Sequence, residues 1–201
     1  MAIRTAALTG PQLQAALADL ARLRIDVFRH WPYLYDGSAD YEQRYLERFA
    51  EAPRSLIVAA YDMDHPDGER MIGAATASPI GSHVPDFSAP LIAAGVSTGP
   101  IFYFGESVLL PQYRGHGIGH DFFDRREAHA RNFPDYLFAA FCSVVRPVDH
   151  PLHDPEYRPL DGFWNKRGYF PLRGVATTLA WKDIDQPAED PKQMRYWIRA
   201  L

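Results

Sequence analysis

The 201-residue chain contains a single cysteine and carries no excess of basic charge. One cysteine excludes an intramolecular disulfide and any zinc or iron–sulfur site built from several cysteines. No apolar run approaches the ~18 residues that a transmembrane helix needs, and residues 1–14 lack the apolar core of a signal peptide. The net charge of −4 argues against a nucleic-acid-binding protein. We therefore expect a cytoplasmic protein whose partners include neither nucleic acid nor a membrane.

Proline, by contrast, is abundant: 17 of the 201 residues are proline, well above the typical ~5%. Few of them fall inside predicted strands or helices, and many lie in residues 79–100 and 147–159. Because proline fixes one backbone angle, such segments are stiff. This distribution predicts two long, ordered loops rather than a disordered chain.

Apolar periodicity and turn residues predict an α/β fold in which a mixed central sheet has helices on both faces. The predicted strands cover residues 2–8, 55–61, 71–77, 101–110, 136–145, 169–172 and 175–182. The predicted helices cover residues 9–30, 38–49, 88–94, 118–132 and 160–167, with a last one from residue 191 onward. We expect a single domain over residues 1–182, followed by an acidic link and a C-terminal helix in residues 183–201.

The strongest chemical signal is a glycine-rich turn between a predicted strand and a predicted helix. It reads Arg114-Gly115-His116-Gly117-Ile118-Gly119, which we call the glycine loop. Glycines allow a ligand to approach the backbone closely, and the helix N-terminus adds positive charge, so the turn predicts an anion site. The dinucleotide fingerprint would require glycine where His120 stands, and the chain has no Gly-Lys-Ser/Thr triplet for ATP.

The pattern of Arg114, Gly117 and Gly119 after a strand resembles the pyrophosphate loop of the GNAT superfamily of coenzyme A-dependent N-acyltransferases. Residues 163–169 resemble a second GNAT segment, Phe-Tyr-Glu-Lys-Leu-Gly-Phe, and residues 23–28 resemble the first helix of that family. The resemblance implies a GNAT fold, acetyl-CoA as co-substrate and no metal. It also implies an acceptor that is a small-molecule amine or a peptide amine, and direct acyl transfer within a ternary complex.

The resemblance also implies which residues bind the cofactor. The fourth and fifth strands should splay apart around the thioester, with strand backbone groups on the pantetheine arm and the amides of residues 114–119 on the pyrophosphate. The implied cofactor-binding residues are Val108, Leu109, Leu110, Arg114, Gly115, His116, Gly117, Ile118, Gly119 and Asn165.

Glu106 is the first candidate for the catalytic base, because a carboxylate inside an apolar strand is costly unless it is solvated or paired. A purely structural carboxylate is the alternative. His150 is a second candidate base. Trp164 stands where the family often has a tyrosine that acts as the general acid, and an indole cannot serve as the proton donor. Either Tyr157 protonates the leaving thiolate, or no acid is needed.

Three residues after the first long helix, Tyr33, Tyr35 and Asp36, are predicted substrate contacts, or else they pack the surface. Cys142 in the fifth strand either faces the thioester or is a small buried hydrophobe, as free cysteine usually is. The histidines show no spacing typical of a zinc site, so no metal is expected.

The leading interpretation is an N-acetyltransferase. Trp164 keeps open a catalytically silent coenzyme A sensor, and the apolar stripe of the predicted last helix keeps open an interaction module. If that stripe were uncovered, a homodimer would be expected.

Overall fold

The computed structural model describes residues 2–201, which form a seven-stranded mixed sheet with helices on both faces. The strands are β1 (Ile3–Leu8), β2 (Leu56–Asp62), β3 (Arg70–Pro79), β4 (Ile101–Leu109), β5 (Phe138–Val144), β6 (Phe170–Lys182) and β7 (Glu189–Ala200). The helices are α1 (Gly10–Ala15), α2 (Leu17–Phe28), α3 (Ala39–Glu51), α4 (Ala89–Ala93), α5 (Ile118–Arg131) and α6 (Asp161–Lys166). The predicted fold class is therefore confirmed.

The sheet order is β1-β2-β3-β4-β5-β7-β6, and only β4 and β5 pair in parallel. One face is covered by α1, α2 and α3, whose core includes Leu20, Leu23 and Leu46. The other face is covered by α5 and α6, whose core includes Phe123 and Tyr169. Almost every predicted strand before residue 160 thus has buried partners on both faces, which explains its nearly continuous apolar sequence.

The parallel pair β4–β5 separates partway along its length. Pairing runs only from Ile101↔Phe138 to Tyr103↔Ala140, although both strands continue beyond it. A bulge in β4 lies just after this point: Gly105 and Glu106 together face the single residue Thr76 of β3. Bulges bend and twist a strand, so the second half of β4 diverges from β5. We call the space between residues 104–109 and 141–144 the gap.

The predicted C-terminal helix is wrong, because residues 189–200 form β7 and lie between β5 and β6 in the sheet. Met194, Trp197 and Ile198 have helical spacing, but Lys192, Met194 and Tyr196 are buried alternately, as in a strand. The strand conformation is stabilised by pairing with both neighbours. The predicted boundary after residue 182 therefore separates residues that share one sheet, and the helical stripe invoked for a homodimer does not exist.

Three smaller differences concern boundaries. The helix predicted over 9–30 is interrupted at Ala16, which separates α1 from α2. Thr9 takes the N-cap position of α1 as expected, but its side chain makes no capping hydrogen bond. The two strands predicted over 169–182 are one strand, β6, with a register shift between Pro171 and Ala176.

The proline-rich loop over residues 79–100 is packed against the sheet. It contains two short 3₁₀ turns and α4, and it buries Ile80, Phe87 and Leu91 against Tyr103 and Tyr196. An ordered loop was the expectation from the proline distribution.

Candidate active site

Four of the sequence-predicted site residues interact electrostatically near the gap. The side chain of Glu106 on β4 contacts Arg24 on α2. Tyr33, from the loop after α2, lies within electrostatic range of Cys142 on β5, of Glu106 and of Tyr157. Elements from four separate parts of the chain thus bring Glu106, Tyr33, Cys142 and Tyr157 together.

Glu106 is 6% exposed, and its carboxylate is held by an ion pair. Its Oε1 lies 2.9 Å from Nη1 of Arg24, and Arg24 also donates through Nε to the buried carboxylate of Glu42. Burial would lower the pKa of Arg24, but attraction to Glu106, with further support from Glu42, raises it above its ordinary value. The pairing that a buried strand carboxylate requires is therefore present, and the same carboxylate borders the gap.

Cys142 has the properties of an unreactive thiol. Burial raises its pKa to about 12, although a hydrogen bond from the Tyr103 hydroxyl opposes that shift. At neutral pH the group is a thiol rather than the thiolate that acts as a nucleophile. This favours a packing or lining role over covalent acyl transfer.

His83 interacts electrostatically with Glu106, and sequence reasoning missed it. Its Nε2 lies 2.8 Å from the Ser78 hydroxyl, and its ring packs edge-on against Tyr103 with centroids 4.8 Å apart. Burial lowers the pKa of His83 to about 4, although Glu106 opposes the shift. The only sequence signal was that His83 lies in the long proline-rich loop over 79–100.

His83 should make stability depend on pH in the acid range. An unfolded histidine titrates near ~6.5, so between about pH 6.5 and 4 the unfolded chain binds more protons than the folded protein. The contribution of His83 to the free energy of unfolding is fully present above that range and is lost as the pH falls through it. Between these pH values, we expect the free energy of unfolding of His83→Asn to fall by roughly 1–3 kcal/mol less than that of the wild type, as measured by denaturant unfolding. Equal pH profiles of stability for wild type and His83→Asn would contradict the assignment.

Tyr157 interacts electrostatically with Tyr33 and with Arg114 of the glycine loop. Burial raises its pKa, Asp161 raises it further, and Arg114 of the glycine loop opposes the shift. Trp164, by contrast, is partly buried and packs against the core, with its ring centroid 5.1 Å from that of Phe141 and 4.9 Å from that of Trp197. A tryptophan at this position therefore fills the core under α6.

His150 is not arranged as a base. Its Nδ1 accepts a hydrogen bond from the backbone N–H of Leu152, so the neutral ring carries its proton on Nε2. The ring also packs against Trp31, with centroids 5.4 Å apart. These contacts favour a structural role in the loop over 147–159.

Tyr35 and Asp36 fasten the loop after α2 to the hairpin between β6 and β7. Tyr35 forms a β-bridge with Asp183, and Asp36 accepts from Lys182 at 2.8 Å. That hydrogen bond is the main reason why the pKa of Asp36 is lowered. The buried pair of Arg146 and Asp183 adds to the attachment, so this wall of the gap is built from residues far apart in the sequence.

The glycine loop turns the chain from β4 into α5 with two left-handed glycines, Gly115 at φ 82° and Gly117 at φ 81°. Among the hydrogen bonds of residues 2–201, the Arg114 amide donates to Pro111, and the next amide to donate is that of His120. The five amides from 115 to 119 are therefore available to an anion at the start of α5. His116 folds back, with Nδ1 3.0 Å from the Arg114 carbonyl.

Directly after β4, the Leu110 amide donates to the Ile72 carbonyl at 3.0 Å, and the Leu110 carbonyl accepts from the Tyr113 amide at 3.0 Å. Because hydrogen-bonding direction alternates along an antiparallel pair, the backbone groups of Val108 also point toward β3, and those of Leu109 point toward the gap. Leu109 is thus the one of these three predicted contacts whose backbone borders the gap. Asn165 is exposed on α6.

Within residues 2–201, no group of three His, Cys, Asp or Glu side chains is arranged to hold a metal ion. No helix in that range is both long and apolar enough to span a membrane.

No protein-family model matches the sequence, and no curated protein matches it. Solved structures do. Arabidopsis thaliana NAA60 in complex with acetyl-CoA is 14% identical, with a TM-score of 0.62 over 100% of this chain and 99% of that one. Its complex with a bisubstrate analogue gives 13% identity and a TM-score of 0.61 over the same shares.

An acetyltransferase of the GNAT family from Streptococcus pneumoniae is 9% identical, with a TM-score of 0.58 over 100% of both chains. An aminoglycoside 6'-N-acetyltransferase complexed with coenzyme A is 16% identical, with a TM-score of 0.56 over 100% and 97% of the two chains. The chain therefore has the fold of the GNAT acetyltransferases, which confirms the fold that the resemblance implied.

Proposed function

We propose that this protein is an acetyl-CoA-dependent N-acetyltransferase that acylates an amine directly, in a ternary complex. The observation that carries the proposal is the gap itself. It lies between two diverging strands, with a free row of loop amides close to one end and the buried carboxylate of Glu106 on its wall. The likeness to structures that hold acetyl-CoA or coenzyme A supports the proposal.

The cofactor is bound mainly by backbone groups. The amides of residues 115–119 and the N-terminus of α5 bind the pyrophosphate, and Arg114 adds a positive charge beside it. The backbone of Leu109 bonds the pantetheine arm. This arrangement places the thioester in the gap, and it explains how a chain of net charge −4 can bind a polyanion.

In the reaction, the amine nitrogen forms a bond to the acetyl carbon and the carbon–sulfur bond breaks. Glu106 takes the amine proton through a water molecule. Tyr157, which interacts electrostatically with Arg114 of the glycine loop and with Tyr33, donates a proton to the leaving thiolate. Tyr33 and Cys142 line the pocket without taking part in bond making. The acceptor enters on the side of the sheet that carries α2, past the loop that Tyr35 and Asp36 fasten down.

The test is turnover of the purified chain with acetyl-CoA and a panel of acceptors: primary amines, amino acids, aminoglycosides and peptides with free N-termini. We expect thiol release that depends on one acceptor class, with an acetylated product detected by mass spectrometry. Tight coenzyme A binding without turnover for any acceptor would instead indicate a sensor. If the chain neither binds coenzyme A nor turns over any acceptor, both the enzyme and the sensor are contradicted.

A further inference from the structure

Arg126 is a buried cation whose position on α5 is not explained by an ion pair. It is 1% exposed, and its guanidinium lies between the rings of Phe104 and Phe123, 4.4 and 4.7 Å from their centroids. Among the ion pairs of residues 2–201, none includes Arg126. Because burying a cation costs several kcal/mol, an apolar residue would fill this core position at a lower cost.

Three of the four side-chain hydrogen bonds of Arg126 reach the bulge in β4, and the fourth runs from Nε to the Phe122 carbonyl of its own helix at 3.0 Å. Nη1 donates to the carbonyls of Thr76 and Glu106, at 3.3 and 3.4 Å, and Nη2 donates to the Ser107 hydroxyl at 2.9 Å. A bulge disrupts the ladder and leaves such carbonyls without their usual partners. Arg126 therefore supplies from the neighbouring helix the donors that β3 and β4 cannot supply to each other.

Thr76 completes the set from the other side of the bulge. Its hydroxyl accepts the backbone N–H of Glu106 at 3.1 Å. A Cβ at residue 105 would lie 2.5 Å from that hydroxyl, so only glycine fits beside it. Both backbone polar groups of Glu106 are thus held by side chains rather than by the sheet ladder.

We infer that Arg126 and Thr76 form a clasp that fixes the bulge and so positions the Glu106 carboxylate in the gap. Both are positioning residues, and the inference rests on the proposed acetyl transfer with Glu106 as base. Arg126 lies eight residues, or about 12 Å, along α5 from Ile118. One rigid helix thereby presents the phosphate-binding amides and holds the strand that carries the base, which sets their separation.

Thr76→Val tests the clasp, because valine keeps the shape of threonine and removes the acceptor for the Glu106 amide. We expect kcat to fall about tenfold, with KM for acetyl-CoA within about twofold, and Thr76→Ser to restore kcat. The double variant Thr76→Val with Glu106→Gln should have a kcat only slightly below that of Glu106→Gln alone. A merely structural defect would instead multiply the two losses, which would overturn the clasp.

Hydrogen exchange provides a readout that needs no activity. Thr76→Val should speed exchange of the β4 amides around residue 106, while coenzyme A binding stays intact. Thr177→Val, which removes a buried hydroxyl from β6, controls for a general loss of stability. Unchanged exchange in β4 overturns the clasp whatever the activity. The proposed reaction has its own test: it is refuted if the wild type shows no turnover or if Glu106→Gln leaves turnover unchanged.

Discussion

Replacing Gly117 with aspartate should lower the affinity for coenzyme A by about 100-fold or more. Gly117 is the N-cap of α5 with φ 81°, inside the row of free amides. A carboxylate there would accept hydrogen bonds from those amides and compete with the pyrophosphate. Two like charges ~4 Å apart at a protein surface repel by ~4 kcal/mol, enough for an effect of this size. Titration calorimetry with coenzyme A measures it.

Gly117→Asn is the matched control. Asparagine has nearly the same shape as aspartate and tolerates the left-handed conformation as well as any side chain, and a Cβ at this position meets no atom within 4 Å. The difference between the two variants isolates the added charge. Both residues are good N-caps, so folding should survive. Equal, undiminished affinity for both variants would remove the glycine loop as the phosphate site.

Replacing Glu106 with glutamine should lower kcat by about 100-fold, the lower end of what a general base contributes, while affinity for acetyl-CoA is kept. The loss should be largest at mildly acidic pH, where more of the acceptor amine is protonated and needs a base. Glutamine can still accept the hydrogen bond from Arg24, so the wall of the gap keeps its shape. Steady-state rates across a pH series measure the effect.

Glu42→Gln is the control for the ion pair. Glu42 is 0% exposed and binds the same guanidinium, but it lies on α3 rather than on β4. Both variants remove one negative charge from Arg24 and should destabilise the fold similarly. Only Glu106→Gln should lose most of its turnover. If the two variants lose activity equally, Glu106 is a structural carboxylate and the base lies elsewhere.

The local sequence determined much of the proposed cofactor site. Gly115, Gly117 and the start of α5 are contiguous, and their conformation depends on residues a few positions apart, so a pattern in the sequence predicts it. The same holds for the strands and helices up to residue 167, whose apolar periodicity matches the faces they bury. The abundance of proline in residues 79–100 also correctly predicted an ordered loop.

Which residues form the wall of the gap could be seen only in the tertiary structure. Arg24 and Glu106, Thr76 and Glu106, and His83 and Tyr103 become neighbours only when separate elements pack together.

The single cysteine shows both what the sequence determines and what only the tertiary structure determines. The sequence alone excluded a disulfide, since one thiol cannot pair within the chain. That burial raises the pKa of this thiol, which disfavours the reactive thiolate, followed only from its packing beside Tyr103. Residues 189–200 show the same division, because their apolar spacing suited a helix, whereas pairing with β5 and β6 made them a strand. Short-range patterns determine local conformation, but the partners that satisfy buried polar groups and strand edges come from distant parts of the chain.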